Sequence, residues 1–332
     1  MNVAKFLLIR FSSIGDIVLT TPVIRCLKKQ VPDAEVHFLV KDSFRSVVEH
    51  NPYIDKVHVL AHSWELMMEE LKTEDYDYII DLHHNTKTLR VKNALKKKSY
   101  SFYKLNIEKY ILTSIKINIL PRVHIVDRYI KTVESFGVKN DGLGLDYFIS
   151  PADETSKEDI PVSHSAGYIA CVIGAAHGTK RWPVHKWMAF CKEIDHPVIL
   201  LGGKEDASNG DEITSVDPIK IYNACGKFKL NESADLVRKA RLVISNDTGL
   251  MHIAAAYKKQ VISLWGNTVP EFGMTPYYGD SAISSIPLQT KVWCRPCSKI
   301  GYDKCPLGHF KCMEKITVDD LLERVRQKIA LI

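Results

Sequence analysis

Short apolar runs alternate with longer amphipathic segments along the chain, and this alternation begins twice. In the first half, runs with the length and composition of buried strands occur at KFLLIR, AEVHFLV, DKVHVL and YDYIIDL. A second set begins at Gly167 with GYIACVIG, HPVILLGG, KIYNACG, RLVISND and QVISLWG. Segments with apolar residues at helical spacing, such as SWELMMEELK, separate the runs. Strands that alternate with helices predict parallel sheets covered on both faces.

The second start of the pattern predicts two domains of an α/β protein. A polar, acidic segment after Pro151, ADETSKEDIPVSHS, has the composition of a linker. We place an N-terminal domain at residues 1–155, a C-terminal domain at 165–315 and a final helix at 316–332 that could pack back on the N-terminal domain. Two doubly wound domains are expected to face each other across a cleft, and ligands are expected beyond the carboxyl ends of the strands.

Composition narrows the class of protein. The chain has 332 residues and eight cysteines, and no apolar run approaches the roughly 18 residues of a membrane span. The N-terminal apolar stretch is too short for a signal peptide, so we expect a cytoplasmic protein with reduced or metal-bound thiols. The net charge of +6 is unevenly distributed, because twelve Lys and Arg residues but only two acidic residues lie between positions 87 and 131.

Three loops at predicted strand ends carry candidate chemistry, and the first follows the N-terminal strand. Asp16 stands directly after Gly15 where the strand turns into a helix. A carboxylate in that place can simply cap the helix, which stabilises it by about 0.5–2 kcal/mol. Glycine at this turn indicates either that the backbone turns tightly or that a ligand approaches it closely, and in the second case Asp16 could act on that ligand. Pro22 either begins the regular helix or kinks it.

The other two loops lie in the second half and suit an anionic ligand. In IGAAHGTKRWPVHKW, small residues from Gly174 onward let a ligand reach the backbone, and Lys180 offers a charge for a phosphate. In VISNDTGLMHIAAA, a strand ends at Asp247 and a helix begins, whose N-terminal NH groups can bind a diphosphate. The alternatives are a solvated lysine and arginine pair in the first loop and an ordinary capped helix in the second.

The combination of SSIGDIVLTTP, NDTGLMHIAAA and WGNTVP, with HIVDRYIKTVESFG and the late cysteines, resembles glycosyltransferase family nine, the ADP-heptose:lipopolysaccharide heptosyltransferases. The resemblance implies a GT-B architecture of two Rossmann-like domains, with the acceptor on the N-terminal domain and the nucleotide sugar on the C-terminal one. It further implies inverting transfer that needs no metal or other cofactor. The implied donor is ADP-heptose or another nucleotide sugar, and the implied acceptor is a lipopolysaccharide core or other lipid-linked glycan.

The resemblance also implies roles for particular residues. Asp16 matches the general base, and Lys180 matches a catalytic residue that meets the donor phosphates. Ala175 and Ala176 depart from the hydroxyl residues that heptosyltransferases often carry there. The implied donor-binding residues, besides Lys180, are Gly174, Glu205, Asp247, Thr248, Gly249 and His252. The implied acceptor-binding residues are Ser12, Ser13, Gly15, His124 and Arg128.

Two further features leave alternatives open. Cys294, Cys297, Cys305 and Cys312 form a compact array whose first pair has zinc-type spacing, so a structural zinc ion competes with packed thiols. The basic stretch 87–131 could dock on the inner-membrane surface, or could belong to a non-catalytic binder of anionic membrane or nucleic acid. It lacks the modules of nucleic-acid readers, so we expect no nucleic-acid partner. A nicotinamide-dependent enzyme is disfavoured because no Gly-x-Gly-x-x-Gly motif follows a strand.

Overall fold

The computed structural model describes residues 4–60 and 63–330, and the chain divides into two compact units. The first unit comprises Met1–Lys104, Val123–Phe148 and Tyr277–Ser281. The second comprises Leu105–Arg122, Ile149–Pro276 and Ala282–Ile332. The predicted domain 1–155 and the predicted helix 316–332 therefore extend beyond the described residues at the two ends of the chain.

Five parallel strands form the sheet of the first unit: β1 (Lys5–Ile9), β2 (Glu35–Lys41), β3 (Lys56–Leu60), β4 (Tyr78–Asp81) and β5 (Lys98–Ser101). Their order across the sheet is β3-β2-β1-β4-β5. Six helices occur up to residue 130: α1 (Ile14–Val18), α2 (Thr21–Gln30), α3 (Trp64–Thr73), α4 (Thr86–Leu95), α5 (Asn106–Ile115) and α6 (Ile125–Ile130). Apolar residues of β1, β2 and β4 pack with Met67 and Leu71 of α3 in one buried cluster.

A buried ion pair anchors α2. Pro22 occupies the first turn of α2, so it begins this helix and does not kink it. Arg25 is only 1% exposed and donates Nε and Nη2 to the two carboxylate oxygens of Asp141, each at 2.7 Å, and it also pairs with Asp146. These hydrogen bonds from Arg25 lower the pKa of Asp141 to about 2. The bidentate pair thereby ties the segment around residues 141–146 to the helix that follows the first strand.

Six parallel strands form the sheet of the second unit: β6 (Ile169–Val172), β7 (Val198–Leu201), β8 (Ile221–Asn223), β9 (Leu242–Asn246), β10 (Val261–Trp265) and β11 (Ile286–Gln289). Their order is β11-β10-β9-β6-β7-β8. The helices are α7 (Val184–Glu193), α8 (Ala207–Thr214), α9 (Leu230–Lys239), α10 (Gly249–Ala256), α11 (Lys311–Glu314) and α12 (Val318–Ile329). The prediction of two doubly wound parallel sheets is confirmed.

The helix α5 belongs to the second unit although it follows the strands of the first. Leu112 on this helix packs in a cluster with Val269 and Phe272. The next residue after the helix, Lys116, donates its Nζ to the carbonyl oxygens of Cys294 and Pro296 at 3.0 and 2.7 Å. The basic stretch 87–131 is consequently divided between the two units and is not a continuous part of the first.

The final helix, α12, packs within the second unit. Its buried residues Leu321, Leu322 and Val325 join the apolar cluster that contains Trp187 of α7. The sequence allowed this helix to pack back on the N-terminal domain, and in the structure its buried residues join the core of the second unit. Within residues 4–60 and 63–330, no helix combines the length and the apolar composition needed to cross a membrane.

Candidate active site

The carboxyl end of β1 leads directly into the turn that holds Asp16. The residue lies in the first turn of α1, and its Oδ2 accepts hydrogen bonds from Ser13 Oγ at 2.8 Å and from Ser13 N at 3.4 Å. Its Oδ1 lies 2.6 Å from Arg10 Nη2. Asp16 therefore does cap the helix, as the simpler interpretation predicted, and it is also held in one orientation by a buried cation.

Arg10 organises this strand end. Its side chain is nearly buried and donates to the carbonyl oxygens of Ser12 and Leu82, each at 2.7 Å, and to the Tyr129 hydroxyl at 3.1 Å. Burial acts to lower the pKa of Arg10, but its interactions with Asp16, Tyr129 and Asp81 together outweigh burial, and the pKa lies above its ordinary value. The arginine thus remains a fixed positive charge that connects β1, the residue after β4 and α6.

His83 lies two residues after β4 and was missed by the sequence analysis. Its ring meets that of Phe11 edge to face, with the centroids 5.2 Å apart. Burial, together with the charge of Arg10, lowers the pKa of His83 to about 4, so the imidazole is neutral near pH 7. Its Nδ1 is buried and has no hydrogen-bond partner among the described residues. The position of His83 could have identified it, because a polar residue after the carboxyl end of β4, the strand beside β1, is expected to lie near the end of β1.

The predicted acceptor residues fall into two groups. Ser12, Ser13 and Gly15 surround Asp16 at the end of β1. His124 is the N-cap of α6, where its Nδ1 accepts from Val126 N at 3.2 Å and its ring stacks on Tyr277. Arg128 lies on α6 as well, is buried, and donates Nη1 to the Tyr103 carbonyl oxygen at 3.2 Å. The first group adjoins Asp16 in the chain, and in the second group Arg128 is the neighbour of Tyr129, whose hydroxyl accepts from Arg10.

The two donor loops of the second unit meet through an ion pair. Lys180 Nζ, from the loop after β6, lies 2.6 Å from Asp247 Oδ2 at the end of β9, and the side chains are 16% and 12% exposed. Thr268 Oγ1, from the loop after β10, donates to the same carboxylate oxygen at 2.8 Å. Because β6, β9 and β10 are neighbours in the sheet, their carboxyl ends converge and form one polar site. Thr268 was not among the predicted residues, although WGNTVP contains it.

The helix α10 begins at this site. Thr248 is its N-cap residue, Gly249 is its first residue, and His252 lies buried in its first turn. The free NH groups at its start carry partial positive charge next to the Lys180 loop. Asn246, which sequence reasoning did not select, holds the two loops together, since its Oδ1 accepts from Trp182 N at 3.1 Å and its Nδ2 donates to the Ile173 carbonyl oxygen at 2.8 Å.

Gly174 and Glu205 lie at the adjoining strand ends of β6 and β7. A Cβ atom on Gly174 would stand 2.2 Å from a carboxylate oxygen of Asp206, so only glycine fits there. The Asp206 side chain is itself buried, accepts from Gly203 N at 2.9 Å and pairs with Arg181 at 3.1 Å. Glu205, its neighbour in the chain, is exposed at this end of the sheet.

The late cysteines do not converge on a metal site. All four are free, and Cys297 Sγ donates to the Cys294 carbonyl oxygen at 3.3 Å. In the described part of the chain, donor atoms of three or more His, Cys, Asp or Glu residues come within 4.8 Å of one another at a single place, which contains no cysteine. Burial raises the pKa of Cys297 to about 12 and also raises that of Cys312, which favours neutral thiols. Structural zinc at Cys294, Cys297, Cys305 and Cys312 remains a prediction that this geometry does not support.

Comparison with known proteins places the chain in a family. Residues 64–303 match the family model for glycosyltransferase family 9 (heptosyltransferase). Lipopolysaccharide heptosyltransferase 1 of Campylobacter coli is 23% identical over 97% of this chain and 98% of its own length. A glycosyl transferase family 9 structure from Veillonella parvula superposes with a TM-score of 0.75 at 20% identity, over 100% of this chain and 99% of that one.

The E. coli ADP-heptose lps heptosyltransferase II structure gives a TM-score of 0.72 at 19% identity, over 98% of this chain and 99% of that one. These likenesses extend over nearly the whole length of both chains and confirm the predicted GT-B fold. The family match covers the loop after β4, where His83 lies, and the loops after β6, β7, β9 and β10, where the candidate residues of the second unit lie. The chain belongs to glycosyltransferase family 9, the heptosyltransferases, and is a glycosyltransferase.

Proposed function

We propose that the protein transfers heptose from ADP-heptose, with inversion at the anomeric carbon, to a lipopolysaccharide core or another lipid-linked glycan. The observation that carries the proposal is the Lys180–Asp247 pair at the adjacent ends of β6 and β9. A cation held there beside the start of α10 can receive a diphosphate. The sugar follows from the family, whose relatives are named for heptose and, in the E. coli structure, for ADP-heptose.

On the donor side, the residues of the second unit would stabilise the leaving group. Negative charge develops on the diphosphate as its bond to the anomeric carbon breaks, and Lys180 with the NH groups around Gly249 would counter it. Asp247 holds the lysine at 2.6 Å, so the ammonium is positioned before the donor arrives. Glu205 would meet the nucleoside at the end of β7. Backbone NH groups would take the place of the hydroxyl contacts that Ala175 and Ala176 cannot make.

On the acceptor side, Asp16 would act as the general base. As the acceptor oxygen bonds to the anomeric carbon, its proton passes to the Asp16 carboxylate and ADP departs with the electron pair of the broken bond. Arg10 and Ser13 fix the orientation of that carboxylate. His83, with its neutral ring and buried Nδ1, would hydrogen-bond the acceptor and position it.

The test is a reconstituted transfer reaction. Purified protein is incubated with ADP-heptose and a lipopolysaccharide that lacks its heptoses, and both ADP release and the mass of the acceptor are followed. We expect ADP release that depends on the acceptor, together with an acceptor that gains the mass of one heptose. Faster transfer from ADP-glucose or UDP-glucose would overturn the assignment of the donor sugar, and no transfer to any lipid-linked glycan would overturn the acceptor class.

A contact with the inner-membrane surface is supported by α5. Ile107 and Tyr110 on this helix are 67% and 61% exposed, and Ile115, Ile117 and Ile119 are exposed as well. Lysines on the same segment would add attraction to anionic lipid, on the order of 1 kcal/mol each. Such a contact would bring the enzyme to its lipid-linked acceptor. A cytoplasmic location remains a prediction.

Vesicle co-sedimentation tests this contact. Binding to anionic phospholipid vesicles at low salt should exceed binding to neutral vesicles, and an Ile107→Ser, Tyr110→Ser variant should bind less. Ile219→Ser is the matched control, since Ile219 is 80% exposed in the same unit but lies outside α5. Equal binding of all three proteins would remove α5 from the membrane contact.

A further inference from the structure

Two buried histidines face each other in the first unit, away from the loops described above. His37 is the third residue of β2 and His58 the third residue of β3, and each is 1% exposed. His37 Nδ1 lies 3.2 Å from His58 Nε2. Tyr76 Oη lies 3.0 Å from the first of these nitrogens and 2.9 Å from the second. Glu74 completes the group, with carboxylate oxygens 3.8 and 3.9 Å from the same two nitrogens.

The outer ring nitrogens of both histidines are occupied by carboxylates. His37 Nε2 lies 2.8 Å from Glu35 Oε1, and His58 Nδ1 lies 2.9 Å from Glu70 Oε1. A carboxylate beside one ring nitrogen favours the proton on that nitrogen and leaves the lone pair on the other. The hydrogen bond with Glu35 therefore makes His37 Nδ1 an acceptor. This carboxylate–histidine arrangement is the one that orients histidines toward a metal ion in proteins.

The Tyr76 hydroxyl faces both inner nitrogens but has one proton, so it can donate to only one of the two histidines at a time. The two nitrogens can hydrogen-bond each other only when one of them carries a proton. A cation between the rings would instead bind the lone pairs of both nitrogens at once.

The net charge around the two histidines also favours a bound cation. Three carboxylates, those of Glu35, Glu70 and Glu74, surround it. Only two lysines balance them: Lys5 lies 3.0 Å from both Glu35 and Glu74, and Lys56 lies 2.6 Å from Glu74. Glu74, which contacts both lysines, is an ionised carboxylate in this setting. With neutral histidines the cluster carries one excess negative charge.

We propose that His37, His58 and Glu74 bind a divalent transition-metal ion, for which Zn²⁺ is the best match, with the Tyr76 oxygen or a water as fourth ligand. Their donor atoms lie within 4.8 Å of one another. Nitrogens bound to zinc at about 2.05 Å in a tetrahedron are about 3.3 Å apart, close to the separation of the facing nitrogens. Two imidazoles and a carboxylate also form a ligand set that zinc accepts.

The position of the cluster assigns the ion a structural role. His37 and His58 lie within their strands, and the cluster reaches Lys5 at the start of β1, whereas Asp16 follows the carboxyl end of β1 in the same sheet. An ion there would join the edge strand β3 to β2 and to the end of α3, and would stabilise the folded state through its binding free energy. The transfer reaction would not require it.

The test measures uptake of Zn²⁺ alone by the full-length protein after chelator treatment. We expect one equivalent whose affinity falls by a factor of at least ~100 in His37→Gln and in His58→Gln, more than the loss of an outer-shell contact costs. His50→Gln, a partly exposed histidine of the same unit, is the matched control and should bind like the unaltered protein. The rise in melting temperature on adding Zn²⁺ should be large in the unaltered protein and in His50→Gln, and small in His37→Gln and His58→Gln.

The absorption spectrum of bound Co²⁺ and the Glu74→Gln variant provide two further checks. Co²⁺ bound by nitrogen and oxygen lacks the intense charge-transfer absorption of a thiolate complex, so its spectrum separates this site from the late cysteines. Circular dichroism shows whether each histidine variant folds. If one does not, Glu74→Gln replaces it in the test, because glutamine preserves the shape of the side chain and should still weaken Zn²⁺ binding. The proposal is overturned by an absence of uptake, by affinity that is equal in all variants, or by a thiolate spectrum.

Discussion

Replacing Lys180 by methionine separates the structural role of this lysine from its proposed catalytic role. The substitution keeps most of the stem and removes an ammonium 2.6 Å from Asp247 Oδ2. Asp247 would then retain the Thr268 hydroxyl at 2.8 Å but lose its cation. Exposed ion pairs contribute about 0–1 kcal/mol, and breaking a fully buried pair costs about 3–5 kcal/mol.

The expected loss of stability lies between these limits. Because the two side chains are 16% and 12% exposed, we expect the free energy of unfolding to fall by about 2 kcal/mol. For a unit of this size that corresponds to a decrease in melting temperature of roughly 4–8 °C. Adding Asp247→Asn to the methionine variant removes the unpaired charge. The double variant should therefore be more stable than the sum of the two single losses predicts.

The transfer rate should respond differently from stability. Loss of one preorganised group that stabilises the departing diphosphate should slow transfer by roughly 10²–10³, and the double variant should stay slow although its stability recovers. Lys180→Arg keeps the charge and is the matched control for both measurements. ADP release in the presence of acceptor gives the rate, and thermal unfolding gives the stability. A double variant with a normal rate would refute the catalytic role, and an unchanged melting temperature in Lys180→Met would refute the strength assigned to the pair.

Asp16→Asn should keep the fold, because asparagine also caps helices, but it should slow transfer by roughly 10²–10⁴ because asparagine cannot accept the proton of the acceptor. A transfer rate within threefold of normal would show that Asp16 only caps the helix. Acidification should destabilise the protein in two stages. His83, whose folded pKa of about 4 lies below its unfolded value near 6.5, binds its proton more weakly in the folded state, so stability falls from pH 6.5 to 4. Asp141, whose pKa is about 2, adds stability above its unfolded pKa near 3.9 that is lost as the pH falls toward 2. Urea unfolding at several pH values checks both stages, and a flat response between pH 7 and 4 in the native chain would contradict the first. Arg25→Met should lower the free energy of unfolding by about 3–5 kcal/mol, because Asp141 and Asp146 lose their buried partner. A loss below 1 kcal/mol would show that solvent replaces the guanidinium as the partner of these carboxylates.

Most of the fold could be predicted because buried parallel strands are continuous apolar runs. The nine predicted runs all contain strands, from KFLLIR at β1 to QVISLWG at β10. The two strands that the pattern missed, β5 and β11, are Lys98–Ser101 and Ile286–Gln289, each at the edge of its sheet. KSYS is polar and largely exposed, and IPLQ alternates partly buried with exposed positions, so neither forms the continuous apolar run that marks the predicted strands. A proline is tolerated in the second because it lies at a sheet edge.

The sequence by itself determined the two sheets, the loops at their carboxyl ends and the family, because these depend on local periodicity and on short contiguous motifs. Only the tertiary structure decided which distant side chains meet. It joined Lys180 to Asp247 and Arg10 to Asp16, brought His83 to the same strand end, and set His37 against His58. It also moved α5 into the second unit. Such contacts depend on strand order and on the packing of helices against the sheets. The periodicity of the sequence reports neither, because it reflects only residues that are close together in the chain.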